Sequence, residues 1–184
     1  MTGHTQRVVL AAATFALPLC AQQFGIAENL APDVPTPQPI VERMLEAGHV
    51  KPGELVYDLG SGDGRVVITA AQKFGAKAVG IEIRPDLCRI ATERIKAAGL
   101  EDRVRIVQGS ALRVDLSPAD VVTMFLLTTS NERLKPALEK YLKPGTRVVS
   151  NQFPIKGWKP VDTVRARAGT MNYSIYVYEI GRTD

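Results

Sequence analysis

Cysteine and histidine are scarce in this chain of 184 residues, which has only Cys20, Cys88, His4 and His49. Two cysteines are too few for a disulfide framework or a thiolate metal site, and the histidines lack ligand-like spacing, so no metal is expected. A dominant charge is lacking too: 23 Lys and Arg against 19 Asp and Glu leave a net charge of +4, a mild bias that reads as a solvated surface. No dense basic patch is interleaved with aromatics, which argues against a nucleic-acid groove. The longest uncharged, mostly apolar run, Val8 to Ala21, is short of the roughly twenty residues that span a bilayer comfortably. No internal repeat is visible. The length and a hydrophobic fraction of 45% suit one α/β domain with a full core, with none to spare for a second or for a lid.

What is present begins with that apolar run. Arg7 precedes it, Gln22 and Gln23 follow it, and Ala21 is a small residue at a cleavage-like position, the form of a secretory signal peptide. Leu19 ahead of Cys20 speaks against a lipoprotein site. Pro32, Pro35, Pro37 and Pro39 then impose an extended segment. The expected organisation is a leader and linker over 1–31 and one domain over 32–184.

The centre of that domain is Leu55-Val56-Tyr57-Asp58-Leu59-Gly60-Ser61-Gly62-Asp63-Gly64-Arg65. An apolar run with β-branched and aromatic residues stops at three glycines spaced every second residue, and a helical pattern follows: strand, tight loop, helix start. Such glycines permit positive φ and let a ligand lie on the backbone beside the free N–H groups of the helix turn. About twenty residues on, Val79-Gly80-Ile81-Glu82 predicts a neighbouring parallel strand whose terminal carboxylate can accept both hydroxyls of a ribose. Together these features indicate a nucleoside-containing ligand. Arg65 stands where a dinucleotide fold wants its third Gly or Ala, and Gly-Lys-Ser/Thr of a phosphate loop is absent.

The rest alternates. Helical spacing is expected over Pro39–Ala47, Asp63–Phe74, Pro85–Ala98 and Asn131–Leu142, and strands over Ala76–Glu82, Val104–Val107, Ala119–Leu127 and Thr146–Ser150. Residues 151–160 have room only for a loop, and Val161–Arg167 with Asn172–Ile180 alternate as an antiparallel hairpin. The predicted fold is α/β, a doubly wound Rossmann-like sheet of seven strands with one antiparallel strand.

The motif Asp58-x-Gly60-x-Gly62-x-Gly64 with Glu82 resembles the S-adenosylmethionine (SAM) loop of class I methyltransferases. The resemblance narrows further along the chain. Val34-Pro35-Thr36-Pro37, the block Tyr57–Arg65, Phe125-Leu126-Leu127, Leu142-Lys143-Pro144-Gly145-Thr146-Arg147-Val148-Val149-Ser150, and Phe153 with Trp158-Lys159-Pro160 resemble the small protein-lysine methyltransferases. That family includes the mitochondrial enzymes acting on the adenine nucleotide translocase and the ATP synthase c-subunit. The resemblance covers roughly residues 32–165 and implies SAM as cosubstrate and a protein lysine as acceptor. It implies cofactor contacts from Pro35, Thr36, Tyr57, Asp58, Gly60, Ser61, Gly62, Asp63, Gly64, Glu82, Ile83, Gly109, Ser110, Ala111 and Phe125. Ser110 stands where class I enzymes often carry an Asp for the adenine amino group.

The acceptor channel is expected among Phe125, Leu126, Leu127, Thr128, Asn131, Asn151, Phe153 and Trp158, with no dedicated base, because a dry apolar pocket by itself favours a neutral amine. The Asn/Asp-Pro-Pro-Tyr/Phe motif that holds a flipped base is absent, so no nucleic-acid partner is expected. A small-molecule methyltransferase, an RNA methyltransferase and a non-catalytic SAM-binding protein remain as alternatives. Members of the family carry an apolar segment just before the domain, which favours Val8–Ala21 as an uncleaved anchor and a monomer on a membrane facing the cytosol. An exported protein and a misplaced gene start stay open.

Overall fold

Leu55–Leu59 forms the central strand β1 because its β-branched and apolar side chains are buried on both faces of a sheet. The computed structural model describes residues 30, 32 and 34–183, and the leader and Cys20 lie outside them. The elements are α1 (Gln38–Ala47), β1, α2 (Arg65–Phe74), β2 (Lys77–Glu82), α3 (Pro85–Ala97), β3 (Val104–Gln108), β4 (Val121–Met124), α4 (Thr128–Tyr141), β5 (Arg147–Asn151), β6 (Asp162–Ala168) and β7 (Met171–Glu179). They make a seven-stranded sheet in the order β3-β2-β1-β4-β5-β7-β6. Strand β7 alone is reversed, pairing antiparallel with β5 and β6.

Alternation along the strands divides the core in two. Val56, Ala78, Val121 and Val149 face α1, α2 and α3, while Tyr57, Leu59, Val79, Val122 and Val148 face α4 and the 111–119 segment. Helix α1 starts where the prolines allow it, with Pro37 at its cap and Pro39 in its first turn. Gly75 closes α2 in a left-handed conformation, its N–H donating to the Ala70 carbonyl. Among the described residues no helix is long and apolar enough to cross a membrane.

Two expectations need correction. The strand expected over Ala119–Leu127 spans only Val121–Met124, because its neighbour β1 ends at Leu59, opposite Met124, and Gly60 turns away. The freed residues Phe125 to Leu127 lead into α4, which therefore starts at Thr128 rather than Asn131.

Candidate active site

The carboxyl ends of β1, β2 and β4 open onto one cavity of about 1140 Å3, part of it open to solvent. Crossovers to either side of β1 lead to β2 and β4, so a crevice forms where the winding reverses. One end is built by the loop after β1 and the tip of β2: Gly60, Ser61, Gly62 and Asp63 face Glu82, Ile83 and Arg84, with Gly109 and Ala111 beyond. The other end is apolar, walled by Phe125 and Leu126 and roofed by Leu30, Pro32, Val34, Pro35 and Thr36, with Met44 of α1 behind. The roof is tied down at both ends: Arg65 donates to the Thr36 carbonyl at 2.7 Å, and the Ser130 hydroxyl donates to the Leu30 carbonyl.

The loop is shaped by its glycines. Gly60, Gly62 and Gly64 all have positive φ, and a methyl group on Gly62 would meet nothing, because that side of the backbone is open space. Gly80 on β2 was not singled out from sequence and matters as much. A side chain there would meet the Ser61 hydroxyl at 2.6 Å, its Cβ at 2.7 Å and Ile106 at 2.7 Å, so only glycine lets the loop lie on the sheet.

Glu82 is held ready. One carboxylate oxygen accepts the Gly62 N–H at 2.8 Å, the other the Arg84 N–H at 2.9 Å, and each keeps accepting capacity toward the cavity. Asp58 is buried, and the Thr123 hydroxyl donates to it at 2.7 Å. Burial pushes the Asp58 carboxyl up to about 7, against the lowering effect of the Thr123 bond and helped by the nearby charges of Glu82 and Asp63. Asp63 moves the other way: burial would raise it, but Arg65 and Arg94 hold it below the usual carboxylate range. A buried acid poised near neutrality in a cleft is the pattern of a functional site. The Ser61 hydroxyl, buried, on the cavity wall and without a protein partner, marks a second polar contact.

Of the expected cofactor contacts, Pro35, Thr36, Asp58, Gly60, Ser61, Gly62, Asp63, Glu82, Ile83, Gly109, Ala111 and Phe125 line the cavity. Tyr57, Gly64 and Ser110 do not. Tyr57 points by strand alternation to the α4 face, Gly64 packs against Ala91, and the Ser110 hydroxyl turns back to accept the Leu112 N–H at 3.3 Å.

Of the expected acceptor channel only Phe125 and Leu126 line the cavity. Leu127 caps α4 and is exposed, as is Thr128 beside it. Trp158 is a core residue: it is buried, meets Tyr178 edge-on at 5.5 Å and donates to Glu139 at 2.9 Å. Asn131 is buried under the 152–153 turn, donating to the Phe153 carbonyl at 2.9 Å. Asn151 is buried at the end of β5, and Phe153 reaches the site only through its ring, stacked 6.1 Å from that of Phe125.

Leu30, Pro32, Val34, Met44, Arg65, Val66, Ile81, Arg84 and Leu87 also line the cavity and were missed. For Leu30, Pro32 and Val34 the signal was the proline-rich segment, which reads from sequence as a mere joint; the others lie on or next to helices and strands, where a wall residue looks like any core or surface residue. Cys88 is packed and unreactive: burial, with Glu82 and Asp86 nearby, pushes its thiol up to about 11. Among the described residues no three His, Cys, Asp or Glu side chains converge as a metal site would require.

A sheet of this order, with a glycine loop after its first strand and a carboxylate at the tip of the second, defines a class I, SAM-dependent methyltransferase. A family model described as the ANTKMT methyltransferase domain matches residues 58–162. A protein-lysine N-methyltransferase of Saccharolobus islandicus is 53% identical over 82% of this chain and 94% of its own length. The mouse adenine nucleotide translocase lysine N-methyltransferase is 36% identical over 67% of this chain, which spans about half (54%) of the mouse enzyme. A crystal structure described as an RNA methyltransferase of Salinibacter ruber, in complex with S-adenosyl-L-homocysteine, superposes with a TM-score of 0.76 at 46% identity, over 80% of this chain and 94% of that one. The chain belongs to the ANTKMT methyltransferase family.

Proposed function

We propose that this enzyme transfers the methyl group of SAM to the side-chain amine of a lysine in a protein substrate. The observation that carries this reading is the asymmetry of this cavity, hydrogen-bonding at the Glu82 end and apolar at the Phe125 end. Glu82 takes the ribose hydroxyls, the backbone of Gly60 to Gly62 and the Ser61 hydroxyl take the amino-acid part, and Asp58 supplies negative charge beneath the ligand's cationic groups. SAM supplies a methyl group activated by its sulfonium. The chain aligns the nucleophile with the methyl–sulfur bond and keeps water out through Phe125, Leu126 and the roof of Leu30, Pro32, Val34, Pro35 and Thr36. An aliphatic amine entering against that wall loses its hydration, which favours the neutral nucleophile. The 53% identity to a protein-lysine N-methyltransferase supports the same acceptor.

The similar Salinibacter structure, described as an RNA methyltransferase, makes RNA the reading to test against. Incubation with methyl-labelled SAM and fractionated lysate should give methyl-lysine on amino-acid analysis. Label confined to RNA, or to small metabolites with none in protein, refutes the proposal. We also propose that Val8–Ala21 anchors the enzyme to a membrane with its domain on the cytosolic side. Mass spectrometry of the membrane fraction should then find the amino terminus intact, whereas a soluble mature chain starting near Gln22 outside the cytosol refutes it.

A further inference from the structure

Strand β5 ends in a feature that lies outside the lining of the cavity. Asn151 is wholly buried, yet neither its carboxamide oxygen nor its nitrogen has a protein partner. Buried polar groups are almost always paired, because an unmade hydrogen bond in a dry interior is costly. The next residue, Gln152, has φ 65°, a left-handed conformation that side chains other than glycine avoid. It sits at the centre of a three-residue turn closed by the Phe153 N–H donating to the Asn151 carbonyl at 2.8 Å.

Strong bonds from both sides hold this turn. Gln152 is tied to β7, donating from its backbone to the Ser174 carbonyl at 2.7 Å and accepting the Ser174 N–H on its side chain at 2.9 Å. The Phe153 carbonyl accepts from Asn131 at 2.9 Å and from the Ser150 hydroxyl at 2.5 Å. An unpaired buried amide next to a backbone kept out of its preferred range is the pattern of a site held ready for a ligand.

Its position says which ligand. Met124 is in register with Ser150, the last pair of the β4–β5 ladder, so Phe125 and Asn151 each follow directly on it, and the ring of Phe153, two residues past Asn151, stacks on that of Phe125. By alternation Asn151 shares its face with Val149, the face that carries Asp58 and lies under α1, whose Met44 lines the cavity. Along β2, β1 and β4 the cavity therefore runs from Glu82, past Asp58 and the glycine loop, to Phe125, and Asn151 ends the next strand, β5, just outside it. The nucleoside end is fixed at β2, so the nucleophile approaches from the β4–β5 side.

We infer that the Asn151 carboxamide is the hydrogen-bond partner of the acceptor amine. The inference rests on the lysine reading above. The carboxamide oxygen accepts one N–H of a neutral amine and leaves its lone pair directed at the methyl carbon, and being uncharged it does not hold the amine as ammonium. The lone pair then forms the nitrogen–carbon bond as the methyl–sulfur bond breaks, the electron pair of that bond goes to sulfur, and the surplus proton leaves nitrogen for water. Because Asn151 is closed off in the free protein, the amine reaches it as the partly exposed Phe153 on the adjoining turn gives way.

The test uses the full-length chain and two variants, with thermal unfolding, SAM affinity by calorimetry and methyl-lysine formed in lysate protein as readouts. Asn151→Leu keeps the side chain's size and removes only unpaired polar atoms, so folding should be unchanged or improved and SAM affinity should stay within about twofold, while the transfer rate falls at least about thirtyfold. Asn151→Asp should hold the ammonium form and move the rise of rate with pH upward by at least about one pH unit. Wild-type transfer rates in Asn151→Leu, an unshifted pH profile in Asn151→Asp, or failure of Asn151→Leu to fold would each overturn the inference. Absence of methyl-lysine with the wild-type enzyme overturns the lysine reading and this inference with it, whereas methyl-lysine undiminished by Asn151→Leu overturns this inference alone.

Discussion

Asp58 should couple SAM binding to pH. Its carboxyl lies at about 7 in the free protein, pushed up chiefly by burial, and the proposed ligand brings a sulfonium and an ammonium above it. If only the carboxylate form binds well, the competent fraction rises from about one in eleven at pH 6 to about ten in eleven at pH 8. Affinity then rises about tenfold over that interval, equivalent to about 1.4 kcal/mol. Calorimetry at pH 6, 7 and 8, repeated in buffers of different ionisation heat, should find roughly half a proton released on binding at pH 7. Asp58→Asn keeps the Thr123 bond to a carbonyl oxygen and should bind more weakly with no pH dependence. The same shift has a stability consequence of definite sign. The folded carboxyl is raised above its usual 3.8, so its contribution is fully present below that pH and is lost as pH rises through about 7. A shift of about three units corresponds to about 4 kcal/mol, so at pH 8 Asp58→Asn should be more stable than wild type by up to about that amount. A wild-type affinity flat from pH 6 to 8, or a slope retained in Asp58→Asn, would refute the reasoning.

Three further outcomes are expected. Gly80→Ala drives a methyl group into Ser61 and Ile106, so it should cost about 1–3 kcal/mol in thermal unfolding and displace the loop enough to weaken SAM binding; normal binding would contradict the close approach. Glu82→Ala should weaken SAM binding by about 1–3 kcal/mol by calorimetry, since two backbone N–H groups lose their acceptor along with the ribose; unchanged affinity would remove Glu82 from the site. Trp158→Ala should destabilise the protein by about 3–5 kcal/mol, because the ring is buried against Tyr178; a variant of wild-type stability that is defective only in transfer would return Trp158 to the channel.

Sequence periodicity by itself determined most of the fold, because alternation of period two and helical spacing each report burial within one segment. Apart from the shorter β4 and the earlier start of α4, each helix and strand appears close to its expected bounds, one reversed strand included, and Asp58, the glycine loop and Glu82 meet in one cavity as their spacing implied. Those features are local: a strand, its loop and the next strand lie within about thirty residues and carry their own punctuation. Tertiary structure decided what depends on partners far along the chain. That Gly80 must be glycine follows from where Ser61 lands, and that Asp58 titrates near neutrality follows from Thr123, 65 residues away, and from the depth of its burial. The end of β4 was set by the end of β1, which freed Phe125 and Leu126 to wall the cavity. An apolar residue looks the same in sequence whether it packs in the core, as Trp158 does, or faces a ligand, as Phe125 does. Only the path of the neighbouring strands separates the two.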